Sequence, residues 1–128
     1  MTRTLAPVLA LAAALAPAAA AAQGAPSGQA MALWQVLFER VGSESQMVLR
    51  FLAPGIAEGY GQEAALDDLD WLCDAHAVPL AATPYARADS VVVTLMDRPV
   101  PRGTTDSEAT QFFGLYGIDA GACAPQEY

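Results

Sequence analysis

The chain has 128 residues and sets 14 acidic side chains against 6 arginines and no lysine, a formal net charge of −8 at pH 7. That excess repels phosphate backbones and anionic headgroups instead of displacing their counterions, which excludes nucleic acid and membrane surfaces as partners. With 54% hydrophobic residues the chain can build a core, and its length suits a single domain.

Met1-Thr2-Arg3 gives a short positive start, Leu5 to Leu15 an apolar run rich in Ala and Leu, and Ala20-Ala21-Ala22 a small-residue cleavage site. This layout predicts a secretory signal peptide over residues 1–22 and a periplasmic or secreted protein. Pro7 and Pro17 interrupt the run, and alanine is only weakly apolar, so cleavage is expected in preference to a retained anchor, with no membrane association afterwards. Gly24, Pro26, Ser27 and Gly28 predict a flexible linker over residues 23–30. A single small α+β domain over residues 31–128 is expected to follow.

From Ala32 to Arg40 the residues alternate, with Trp34, Val36 and Phe38 on one side and Gln35 and Glu39 on the other, the pattern of a strand with its apolar face inward. Gln46 to Leu52 alternates again after the polar turn Val41 to Ser45, so the two runs predict a β-hairpin. Pro54-Gly55 ends it. Helix is expected from Gln62 to Ala77, with Ala65, Leu66, Leu69, Leu72, Cys73 and His76 on one stripe and a solvated acidic face carrying Asp67, Asp68, Asp70 and Asp74. Pro79 is expected to stop it. Ser90 to Met96, with three adjacent valines, is the clearest strand.

Residues 105–118 are open to two readings. Thr105 and Glu108 fit a helical capping box, whereas Gly114, Gly117 and the turn Asp119-Ala120-Gly121 favour a second hairpin, Thr110 to Ile118 with Ala122 to Glu127. The hairpin gives the order β-β-α-β-β-β, an antiparallel sheet of four to five strands with one main helix packed on one face.

Cys73 and Cys123 form an even pair in a small exported chain, which predicts a disulfide tying the helix to the last strand. Cys73-x-x-His76 also places two ligand types one helical turn apart, so His76 is an alternative ligand of a soft metal. His76 with Asp74 is the least favoured alternative, a hydrolase-like pair. Gly55 to Gly61 resembles a phosphate-binding loop in composition only and lacks the lysine. No cofactor, resident metal or catalytic residue is therefore expected. Asp97, Arg98, Arg102 and Asp106 surround a proline-stiffened loop and offer a partner-binding rim, though local ion pairing would give the same pattern.

The segments Leu95-Met96-Asp97-Arg98-Pro99, Asp106-x-Glu108-Ala109-Thr110-Gln111-Phe112-Phe113 and Gly121-x-Cys123 resemble a family of short uncharacterised secreted bacterial proteins, a domain of unknown function. The resemblance implies a periplasmic protein of similar size and carries no activity to transfer. The expected function is accordingly a non-enzymatic binding or accessory domain for another periplasmic or envelope protein. The alternatives are a small-molecule or soft-metal-binding module and an enzyme centred on His76.

Overall fold

The computed structural model describes residues 24–127, so the expected signal segment 1–22 lies outside the described residues. β1 (Ala32–Val41) and β2 (Glu44–Leu52) form the hairpin, turning through Gly42 and Ser43. Gly42 has a φ of +63°, a left-handed conformation that a residue without Cβ adopts at no steric cost. The ladder slips between Leu33 and Gln35, which makes Trp34 the extra residue of a β-bulge. The bulge corrects one expectation. It resets the alternation, so Val36 packs on the core while Trp34 lies against Arg50 on the other face. Phe38 shares the core side with its partner Met47 but stays 55% exposed at the sheet edge.

A 3-10 turn (Pro54–Ala57), helix α1 (Gln62–Leu72), a π-helical turn (Cys73–Ala77) and the short helix α2 (Val78–Ala81) lead to β3 (Ser90–Met96). β4 (Gln111–Asp119) and β5 (Ala122–Pro125) follow, so residues 111–118 are strand. The five strands lie in the order β1-β2-β3-β4-β5. The α+β class stands, but β2 and β3 run parallel while the other neighbours are antiparallel. The sheet is therefore mixed, and the expected all-antiparallel sheet is corrected. The physical reason is the helical crossover: a connection of that length carries the chain back to the starting end of β2, and its helix covers one face. The chain order also departs from β-β-α-β-β-β by the 3-10 turn, the π turn and α2. Pro79 does not end the helical segment, because it occupies the first turn of α2, where its missing N–H is not needed.

All seven residues of β3 are buried, as suits a central strand covered on both faces, and its valines form a continuous run instead of alternating. On the helix side Met47, Leu49, Phe51, Val91, Val93 and Leu95 pack against Leu69, Leu72 and Cys73. Leu66, expected on the buried stripe, is 49% exposed, and Asp68 is buried in its stead. Gly114 lies beneath Tyr116: a Cβ built there would come within 2.6 Å of the ring. The ring thereby reaches α1, where its hydroxyl donates to Asp70 at 2.7 Å.

The Cys73–Cys123 disulfide joins the π turn to β5, with a Cα–Cα distance of 6.1 Å. The β4–β5 turn uses two positive φ angles, 51° at Ala120 and 78° at Gly121. A left-handed alanine costs about 1–2 kcal/mol, which asparagine partly recovers through local hydrogen bonding. Ala120→Asn is expected to raise stability by about 0.5–1 kcal/mol in urea unfolding.

Candidate functional site

The second face of the sheet, away from the helix, is lined by alternate residues of β1 to β4 and partly roofed by the loop of residues 97–110. Arg50 stands in the middle of β2 and is 2% exposed, although its neighbours Leu49 and Phe51 point into the core. Its Nη1 donates to Gln35 Oε1 at 2.7 Å, and its Nη2 donates to the Val100 carbonyl and contacts Met96 Sδ at 3.2 Å. Its guanidinium also sits 5.2 Å from the centre of the Trp34 ring. Burial, together with the like charge of Arg102, pulls its pKa below the ordinary guanidinium value. Arg50 thus pins the roof loop to the strands. Its Nε and the Thr94 hydroxyl, opposite it on β3, are buried with no hydrogen-bond partner among the described residues.

Beside this pinned end the roof stops, and a groove of about 570 Å³ opens. Val41, Val92, Phe113 and Leu115 supply its apolar surface, and Glu44, Gln46, Ser90, Arg102 and Gln126 its polar positions. Gln46 Nε2 donates to Ser90 Oγ at 3.1 Å across the β2–β3 pair. Phe113 is 48% and Val41 55% exposed, so the apolar wall is open to solvent.

Of the four rim residues expected from sequence, only Arg102 lines the groove. Its guanidinium bonds Glu39 through two nitrogens, at 2.8 and 3.1 Å, and that hydrogen bond holds the Glu39 carboxyl below the usual range against the opposing effect of burial. Asp97 is nearly buried and accepts bonds from Arg98 and from the Thr110 N–H at 2.8 Å. Arg98 reaches from Asp97 toward Glu108 at 3.8 Å, while Asp106 accepts the Glu108 N–H at 3.0 Å. These contacts fold the loop upon itself. The alternation from Gln46 to Leu52 sets Arg50 on the polar side of β2, opposite Met47, Leu49 and Phe51, and by itself does not disclose the groove. An arginine at the centre of an apolar strand, with Gln35 and Glu39 in the neighbouring strand, was the available signal.

His76 belongs to a different place. Its ring meets Phe51 and Trp71 edge-on, with centroids 5.1 and 6.2 Å apart, at a cavity of about 400 Å³ on the helix side. Both sulfurs are joined in the disulfide, so neither is the thiolate that a soft-metal site of Cys73, His76 and Cys123 calls for. Asp74 accepts the Cys123 N–H at 2.9 Å. The acidic face is corrected at Asp68, which is buried and accepts from Ser27 and Tyr60, while Asp67, Asp70 and Asp74 are exposed as expected, with Asp70 accepting from Tyr116 and Asp74 from Cys123.

Burial pulls the His76 pKa below the ordinary imidazole value. The unfolded chain then takes up the proton first, so acid favours unfolding. The contribution is present above the ordinary imidazole range and is lost as pH falls through it and below. Urea midpoints measured across that window are expected to decline, and a His76→Gln protein is expected to show a flatter profile there.

A family model, Family of unknown function (DUF6497), matches residues 8–128. The chain belongs to this family. Comparisons with curated proteins and with solved structures return no match. The DUF6497 match spans the whole described sheet and both cysteines. The family assignment brings no activity with it, so the functional reading rests on the groove and its surroundings.

Proposed function

We propose that this DUF6497 protein is an exported, non-enzymatic domain that holds a segment of another periplasmic or envelope protein in the groove on the second face of its sheet. The observation that carries this reading is the open apolar wall of Val41, Phe113 and Leu115 over a buried floor at Val92, beside exposed polar positions at Glu44 and Arg102. A surface of that kind combines apolar contact with a few orienting polar groups. The net charge of −8 suits a partner segment with basic residues next to apolar ones. Export accords with the disulfide, which persists in oxidising compartments. Among the described residues no helix is long and apolar enough to cross a membrane, which accords with a domain that works in the aqueous envelope.

A charge placed in the groove tests the proposal. Phe113 is half exposed, so Phe113→Lys is expected to leave the melting temperature nearly unchanged while weakening recovery of the envelope partner about tenfold or more. Quantitative co-purification of tagged wild-type and variant proteins measures this. Equal recovery of the same partner by both would refute the groove as the binding surface.

A further inference from the structure

The two edges of the sheet differ. At one, β5 has four residues, ends at Pro125 and is bonded to the π turn through Cys123. Short length and proline are devices that keep an edge from pairing. At the other, β1 has ten residues, and from Val36 to Phe38 it carries no charge and no proline. Four of the seven large apolar side chains exposed on the described surface belong to β1: Leu33, Trp34, Phe38 and Val41. They occupy both faces, Phe38 on the helix side opposite Met47 and Val41 at the groove. Neither the helix nor the roof loop covers them.

We propose that β1 pairs antiparallel with β1 of a second copy of this chain, about a twofold axis at Leu37, joining the two sheets into one. An axis normal to the sheet keeps each face continuous, so a residue meets one that projects from the same face. With the axis at Leu37, Val36 stands opposite Phe38 of the second copy on the helix side. On the other face Leu37 meets itself, and Gln35 meets Glu39 as a donor beside a carboxylate. Moving the axis to Phe38 sets Leu37 against Glu39 and Val36 against Arg40, and moving it to Val36 runs Phe38 into the bulge at Trp34. The Leu37 register alone matches apolar with apolar and opposes no like charges. A sheet with one open edge closes as a dimer, whereas two open edges would permit a fibre. Each copy is acidic, so screening should tighten the pair as salt rises.

The test is the mass of the full exported protein by sedimentation and light scattering at about 100 µM and on dilution, with amide exchange read over residues 35–39. The expected result is a dimer that strengthens with salt and whose protection at these amides fades as it dissociates. Leu37→Lys sets two charges face to face on the axis and is expected to weaken the dimer about tenfold or more. Tyr85→Lys, at a side chain 94% exposed elsewhere, should leave it intact. A matching thermal unfolding curve confirms that the Leu37→Lys protein is folded; if it is not, concentration-dependent exchange in the wild-type protein decides. A wild-type protein monomeric at every concentration, a dimer whose residues 35–39 exchange freely, or an edge filled only by an extended segment of a different protein overturns the proposal.

Discussion

Replacing Cys73 and Cys123 together by alanine should lower the free energy of unfolding by about 4 kcal/mol, the chain-entropy value for a closed loop of this length. The bridge spans 50 residues, which include the π turn, α2, β3 and β4. Opening it frees the unfolded chain while the native contacts of those elements remain, so the effect acts mainly through the unfolded state. Cys73 is fully buried, and alanine in its place adds a small packing loss of the same sign. Urea denaturation of oxidised wild type and of the double variant measures the difference. A loss below about 1 kcal/mol would show that the bridge does not restrain the unfolded chain as this account requires.

The second large effect concerns Asp68, which is fully buried. Its carboxylate accepts the Ser27 N–H at 2.9 Å, the Ser27 hydroxyl and the Tyr60 hydroxyl at 2.6 Å. Burial and the nearby carboxylate together push the Tyr60 phenol pKa up, so the phenol remains a donor throughout the ordinary pH range. Asp68→Ala leaves all three donors without their acceptor and opens a gap in the packing. A cost of about 3 kcal/mol is expected. The N-terminal stretch that Ser27 anchors, where Ala25 is buried, should lose its amide protection at the same time. Asp68→Asn keeps one acceptor oxygen and should cost less. Hydrogen exchange at residues 24–30, read with the unfolding curves, separates local release from global loss. Unchanged exchange there in Asp68→Ala would contradict the anchoring role.

Parts of this architecture were legible in the chain because single local signals decide them. Three adjacent valines suit only a strand buried on both faces, and β3 is that strand. Two cysteines in a chain of this size, read with the expected export, point to one bond. Gly42 and the Ala120-Gly121 pair mark turns that need left-handed backbone. What escaped depends on contacts far apart in sequence. Nothing between Leu52 and Ser90 announces that the strands flanking the helix lie side by side, yet that adjacency makes their pairing parallel. The bulge at Trp34 hides inside an alternation that Leu33 and Leu37 already blur on its polar side, so one extra residue changes faces without changing the pattern of letters. Asp68 reads as part of a solvated acidic face, and nothing in the alternation of β2 announces that the charged Arg50 is buried. Each is buried because distant groups, Gln35 and Val100 for Arg50, Ser27 and Tyr60 for Asp68, supply hydrogen bonds that replace water. The groove was illegible for the same reason, since its walls come from β1, β3 and β4 and its mouth is set by where the roof loop is pinned.

The central claim is that the working surface is the sheet face opposite the helix. Site-specific photo-crosslinking in the intact envelope tests it most directly, with the reactive group placed in turn at Gln126, which is exposed at the groove, and at Tyr85, which is exposed elsewhere. The account expects one discrete adduct from position 126, abolished by Phe113→Lys, and none from position 85. The same adduct from both positions, or one from position 85 alone, would contradict it.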